Sequence, residues 1–353
     1  MNFNAIVGNP PYMTMDGGAN SSAQPIYQRF VYTVTYMTQY VCSLIIPARW
    51  YSGGKEHELK GFRDFMLHSK HLSLLHDYVN PTIAFPRLYI RGGICYFLWD
   101  RTYNNTTSLT QIVCHRANGS TVAIRRSMAI EDISIFIREW EAVSILEKVK
   151  EGYKFDNIGN HFSPRCPFGF RGYFRKDKRF QINSDGLTEP VVCIAKGYTK
   201  GFVDRKYITA HREWIDVWKV ITPRANNIGI ESSDDNFNVC IASPGTICTE
   251  SYQVIGMDLG LDLEAAQNLM SYLQTRFSRL LHSLAKASQD VSAKTMRFIP
   301  MQNFTSTSDI DWSKPIFEID RQLYKKYNLT ENEIEFIKTM IKPMAGEDES
   351  NNL

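Results

Sequence analysis

Four residues near the N-terminus, Asn9-Pro10-Pro11-Tyr12, combine groups suited to capturing an exocyclic amine. The two prolines stiffen the turn and hold its carbonyls outward. The Asn9 side-chain oxygen and the Pro10 carbonyl can then both accept hydrogen bonds from one NH2 group, drawing its lone pair from an attached ring and aiming it at an electrophile. The Tyr12 ring can stack on a base, with Pro11 beside it. The plain alternative is an ordinary proline-rich turn. The functional reading is favoured because the apolar run Phe3–Val7 delivers the motif from the end of a strand, where open α/β sheets bind ligands.

A second feature lies farther along. Between Arg165 and Arg212 stand eleven Lys or Arg against four acids, with eight Phe or Tyr interleaved. Phosphate backbones attract such clusters through counterion release, and aromatics stack on unpaired bases. Arg171, Arg175, Lys176, Lys178, Arg179, Lys200, Arg205 and Lys206 are the candidate DNA-binding residues. The alternative is a solvated face over core aromatics. The block is hidden in the whole-chain balance, a net charge of +3 over 353 residues.

The elements that must position these residues follow from periodicity. Tyr27–Met37 has the spacing of a helix. Val41–Ile46 is a buried strand stopped by Pro47, and His57–Leu67 a helix with Leu59, Phe62, Phe65 and Met66 on one face. Leu72–Val79 and Gly92–Trp99 are strands, the latter apolar enough to be central. Runs at Gln111–His115 and Thr121–Arg125 flank Asn118-Gly119, a hairpin turn. Ile133–Val149 has the pattern of an amphipathic helix. Alternating strands and helices predict a mainly parallel α/β sheet over residues 1–150. Residues 151–344 change texture to short strand-like runs, one long helix at Leu263–Lys286, and a helix over 331–341 opened by a Thr330/Glu333 capping box. Residues 345–353 are expected to be a disordered tail.

Composition bounds the rest. The hydrophobic share of 43% and aromatic share of 12% exclude a disordered or collagen-like chain. No stretch approaches the roughly 18 uncharged apolar residues of a membrane span. Seven Cys without a CxxC pair argue against a zinc ribbon or a disulfide framework and fit a reducing cytoplasm. No metal site is expected. None of the eight His stands where a general base would be needed.

FNAIVGNPPY (3–12) resembles motif IV of the amino-group DNA methyltransferases, specifically the N6-adenine class. PIYQRF (25–30) is similar to the start of the motif V helix, and SLIIPARWY (43–51) to the next strand and its Pro-x-x-Trp end. TIAFPRLYIRGGICYFLWD (82–100) resembles the region where an aromatic before proline faces the flipped base, the position Phe85 takes here. Farther on, CTESYQVIG (248–256), YLQTRFSRLLHSLAKASQDVSAKTMRFIPMQNF (272–304) and LYKKYNLTENEIEFI (323–337) look like the target-recognition region of type IIG-like restriction–modification methylases. The fold implied is the C-terminal half of a Rossmann-like methyltransferase sheet, then a mixed α+β recognition domain.

The resemblance implies a mechanism. Double-stranded DNA binds and the target adenine is flipped out. Tyr12 and Phe85 sandwich it, Asn9 and Pro10 hold N6, and the methyl of S-adenosylmethionine passes directly to N6. Tyr27 and Phe30 fall on the expected cofactor side. The family's cofactor-binding segment, a strand ending in an FxGxG-type turn, has no counterpart among the glycine-rich stretches of this sequence. The resemblance therefore implies a partner half carrying that segment, and little methylation by this chain alone. No PD…ExK nuclease cluster is found. Two other function classes compete: a non-catalytic DNA-binding specificity module or remnant, and an NPPY methylase acting on protein glutamine or RNA. The roughly 200 residues that follow the catalytic sheet weigh against the last.

Overall fold

The computed structural model describes residues 3–14, 23–53, 56–87, 90, 92–103, 109–116, 118–228, 236–286 and 289–344. The expected tail at 345–353 lies outside them. The described residues form two compact units; the first runs to Trp140 and the second starts at Glu141, ten residues before the boundary expected near 150.

The first unit is built on β1 (Phe3–Gly8), α1 (Tyr27–Met37), β2 (Thr38–Pro47), α2 (Glu56–Leu67), β3 (Leu72–Tyr78), β4 (Ile94–Asp100), β5 (Leu109–His115) and β6 (Thr121–Ser127). These strands make one sheet in the order β1-β2-β4-β3-β5-β6. Side chains alternate along β2, so Leu44 and Ile46 turn inward. They meet Tyr27 and Val31 of α1, Leu59, Phe62 and Met66 of α2, Leu75 of β3 and Phe97 of β4 in one core. The sheet is mixed rather than mainly parallel. β1 pairs β2 and β3 pairs β5 in parallel, but β4 runs antiparallel to both β2 and β3, and β6 antiparallel to β5. The connections fit this: β5 and β6 are joined by the short Asn118-Gly119 turn, and among the described residues β3 and β4 are separated by the three-residue 3-10 turn Pro81–Ile83, whereas a parallel crossover usually carries a full helix. β1 lies at the edge and pairs only with β2 among the described strands.

The run Ile133–Val149 is not one helix. Residues 133–140 are irregular, and α3 (Glu141–Phe155) begins only after them. Ile135, Phe136 and Ile137 are all buried, which three successive positions on a helix face could not be. Phe136 N–H instead donates to the Tyr51 carbonyl at 2.9 Å.

The second unit continues from α3 with β7 (Pro190–Ala195), β8 (Thr199–Asp204), β9 (Lys219–Pro223), β10 (Cys240–Ala242), β11 (Thr246–Cys248) and β12 (Tyr252–Ile255). They form two small sheets, β11-β7-β8 and β10-β9-β12. Helices α4 (Leu263–Gln274), α5 (Arg276–Leu284), α6 (Ala293–Met296), α7 (Ile316–Lys326) and α8 (Glu331–Met340) follow. The expected single helix over 263–286 breaks at Thr275, which is extended and accepts from Ser278 N–H. The Asp320 carboxylate of α7 accepts from Arg276 and Phe277 N–H, each at 2.9 Å, so the new helix start is satisfied from across the bundle.

Lys219 of β9 is fully buried. Its ammonium donates to the Ile215 carbonyl at 3.2 Å and the Val217 carbonyl at 2.9 Å. Burial lowers its pKa from the ordinary 10.5 to about 8. The unfolded chain therefore holds this proton between pH 8 and 10.5 where the folded protein does not, and stability rises with pH across that window. Relative to Lys219→Met, the protein should gain up to about 3 kcal/mol between pH 8 and 10.5, measured by denaturant unfolding. A pH-independent difference would show that this amine titrates normally.

Candidate active site and nucleic-acid interface

β1, β2, β3 and β5 point the same way, so their carboxyl ends share one edge with the start of β4. That edge gathers Asn9-Pro10-Pro11-Tyr12 after β1, Ala48-Arg49-Trp50-Tyr51 after β2, and the connection 79–93 between β3 and β4. The turn is tied back to α1. Met13 bridges Pro25, Thr14 N–H donates to the Gln24 carbonyl at 2.8 Å, and Ile26 N–H to the Tyr12 carbonyl at 3.1 Å. The motif at residues 9–12 and the residues that lead into α1 at Tyr27 are thereby neighbours.

Asn9 is exposed, and its amide has no hydrogen-bond partner among the described residues. Pro10 is half-buried and Pro11 exposed. Tyr12 is half-buried, with a buried hydroxyl that has no hydrogen-bond partner among the described residues. Burial, reinforced by the nearby Cys95 thiol of β4, raises its pKa, so the ring is neutral at pH 7. The site thus offers an open acceptor at the strand end and an uncharged aromatic beside it, acceptor-and-face chemistry suited to a base carrying an amine.

Phe85 is half-buried in the connection 79–93. Asn80 caps the short turn Pro81–Ile83 by accepting from Thr82 N–H at 3.0 Å, and Phe85 N–H donates to the Pro81 carbonyl at 2.9 Å. Tyr27 and Phe30, both on α1, part company. Tyr27 is 1% exposed, edge-on to Phe62 in the core, whereas Phe30 is 39% exposed.

Sequence reasoning did not single out the groups beneath this edge. Asp77, 1% exposed at the end of β3, faces Arg138, whose Nε lies 3.0 Å from Oδ2. Arg138 also donates through Nη2 to the Gly92 carbonyl, and its guanidinium stacks over the Tyr51 ring at 4.9 Å. Burial pushes the Asp77 carboxyl up, and the guanidinium pulls it down. Cys95, also buried there, is raised to about 12, so its thiol is protonated and unreactive. The available signal was the lone acid in the strand-like run Leu72–Val79.

The basic block divides. Arg171 pairs with Glu250 at 3.1 Å, Arg179 with Asp177 at 2.7 Å, Arg205 with Asp216 at 2.6 Å and Lys206 with Asp204 at 3.3 Å. Arg175, Lys176, Lys178 and Lys200 are exposed and have no ion pair among the described residues. The aromatics divide too. Phe168, Phe170, Phe174 and Phe180 are core, while Tyr173 is 73% exposed. Among the described residues no three His, Cys, Asp or Glu are grouped to hold a metal ion, and no helix is long and apolar enough to cross a membrane.

The segment that builds most of this edge, residues 1–85, matches the family described as Eco57I restriction-modification methylase. Separately, an adenine-specific methylase of Mycoplasma pneumoniae (strain ATCC 29342 / M129 / Subtype 1), itself described as uncharacterized, is 32% identical over 109 residues. The shared stretch is 30% of this chain and 26% of that protein, so the chain spans about a quarter of its relative. Among solved structures, the type IIG restriction endonuclease BpuSI shares 13% identity at a TM-score of 0.33, over 92% of this chain and 48% of that one. The type IIL restriction-modification enzyme MmeI, in complex with DNA, shares 9% at 0.44, over 95% and 56%.

Gly93, at the foot of the connection 79–93, has φ +82°. An added Cβ would drive into the Tyr78 carbonyl and lie 3.0 Å from the Val79 carbonyl oxygen. Gly93→Ala should lower stability by about 2 kcal/mol or more, seen as a shifted urea midpoint at constant slope. An unshifted midpoint would show that this stem can move freely.

Proposed function

We propose that this chain carries the catalytic edge and the DNA target-recognition part of an N6-adenine DNA methyltransferase of a restriction–modification system. The carrying observation is the open Asn9 amide at the end of β1, within the segment that matches a restriction-modification methylase family. In this reading the two N–H groups of a flipped adenine donate to Asn9 Oδ1 and the Pro10 carbonyl, and Tyr12 and Phe85 stack on its faces. S-adenosylmethionine supplies an electrophilic methyl. Held by Asn9 and Pro10, the N6 lone pair would displace S-adenosylhomocysteine from that methyl as the carbon–sulfur bond breaks, and the N6 proton would pass to water. Of the two cofactor-side candidates on α1, Phe30 is exposed and available to the cofactor, while Tyr27 supports the helix from the core.

The six-stranded sheet is read as one half of a Rossmann-like methyltransferase sheet. Its support is the outer edge of β1, which no described strand pairs and where Val7 is 80% exposed. A strand bearing the cofactor-binding turn would complete the sheet there, so the expected partner is that cofactor-binding half. Arg175, Lys176, Lys178 and Lys200 are the cations left to meet DNA phosphates. The seven free cysteines, five of them buried, fit a reducing compartment, and we place the protein in the cytoplasm.

Transfer of labelled methyl from S-adenosylmethionine into DNA, with the cofactor-binding half supplied, tests the reading. Asn9→Ala should abolish that transfer and leave DNA affinity within about twofold. Transfer unchanged by Asn9→Ala, or label found in RNA or protein, overturns it. In a separate measurement, Lys176→Gln and Lys178→Gln should each reduce the slope of log affinity against log salt by about 1, whereas Arg179→Gln should change it less. Equal effects from all three would show that the Asp177 pairing does not occupy Arg179.

A further inference from the structure

The connection 79–93 carries Phe85 between two stems, and one side chain holds both. Arg138 Nε lies 3.0 Å from Asp77 Oδ2 at the end of β3, and its Nη2 donates to the Gly92 carbonyl just before β4. Its plane rests on Tyr51, immediately after β2. The stems are tied further to their neighbours. Gly93 O accepts from Ala48 N–H at 3.0 Å, Val79 N–H donates to the His115 carbonyl at 3.2 Å, and Cys114 Sγ lies 3.7 Å from Asp77 Oδ2. Gly93 has no room for a side chain between the Tyr78 carbonyl and Arg138. The β3/β4 ladder pairs the stems as far as Tyr78 and Ile94, and Arg138 adds a side-chain tie above that last pair that also reaches Tyr51 after β2.

We infer that Arg138 is a positioning residue that fixes the loop bearing Phe85 by clamping Asp77 to the Gly92 carbonyl. The catalytic consequence rests on the proposed methyl transfer; the clamp itself does not. A planar guanidinium can satisfy a carboxylate and a carbonyl at once, and a lysine ammonium on a shorter reach cannot reproduce that fork. Arg138→Lys therefore separates the clamp from simple neutralisation of a buried acid. It keeps a cation opposite Asp77 and loses the bond to Gly92.

The test uses the full chain and limited trypsin digestion, followed at the bond after Arg87, an exposed residue of the loop. Cleavage there should rise about tenfold in Arg138→Lys, while cleavage after Lys176 in the second unit stays as in the parent. The double variant Asp77→Asn with Arg138→Gln removes both charges, guards against misfolding from a lone buried carboxylate, and should give the same gain. Loop cleavage unchanged in both variants, with both folded by circular dichroism, overturns the inference. In methyl transfer to adenine-unmethylated DNA, with the cofactor-binding half supplied, Arg138→Lys should lower kcat about tenfold and leave KM for DNA within twofold. Faster loop cleavage with unchanged kcat would overturn the positioning role while leaving the clamp. Absence of any methyl transfer by the parent protein would count against the proposed function, and the proteolysis would still decide the clamp.

Discussion

One strand running against its neighbours organises the first unit. β4 is inserted between β2 and β3, antiparallel to each, and its Ile94, Cys95 and Phe97 are wholly buried. Because β1, β2 and β3 all point the other way, the start of β4 falls beside their carboxyl ends. The path back from β3 must therefore cross that edge, and it brings Phe85 to the edge where the asparagine–proline turn emerges. A parallel β4 would have sent the same connection to the far side of the sheet. The direction of a single strand thus places groups from residues 9 to 93 along one rim.

The burial of charge is the second organising theme, and each case is resolved differently. Asp77 meets a guanidinium. Asp320 is raised to about 6 by burial yet receives two helix-start N–H groups. Lys219 donates to two carbonyls and sheds part of its affinity for a proton. Asp77 and Asp320 join groups distant in sequence, Lys219 joins carbonyls of its own approach to β9, and in each case a large penalty follows if the partner is removed. Arg171, Arg179 and Arg205, by contrast, pair near water, where such pairs stabilise weakly.

Much of the edge was legible in the sequence because its signals are local. Asn9 through Tyr12 follow an apolar run, the periodicity of residues 27–37 and 56–67 is helical, and Asn118-Gly119 closes a hairpin as its composition requires. What was not legible depended on partners distant in the chain. Residues 133–140 have helical spacing, but their apolar side chains are buried one after another against the first unit's core. Thr275 breaks a helix that periodicity would continue, because Asp320 arrives 45 residues later to cap the new start. The charge count over residues 165–212 could not tell Arg205, held by Asp216, from Lys178, which is held by nothing described. Periodicity reports which faces are apolar; it does not report which carboxylate comes to meet a given cation.

The outer edge of β1 has a further consequence. Natural sheets guard open edges with lysine, with proline, or with a bulge that bends the strand away. β1 reads FNAIVG, carries no charge and no proline, and has its one irregularity of register near Phe3, away from Val7. Backbone N–H and C=O groups along Ala5–Gly8 are thus presented on an uncharged ribbon, a template that discriminates poorly between strands. Anything that settles there gains affinity from main-chain bonds and selectivity only from the few side chains that reach past the rim. Selectivity of any pairing at this edge must accordingly be set by the surfaces on either side of it, and the edge as described is a nucleus for sheet-to-sheet association.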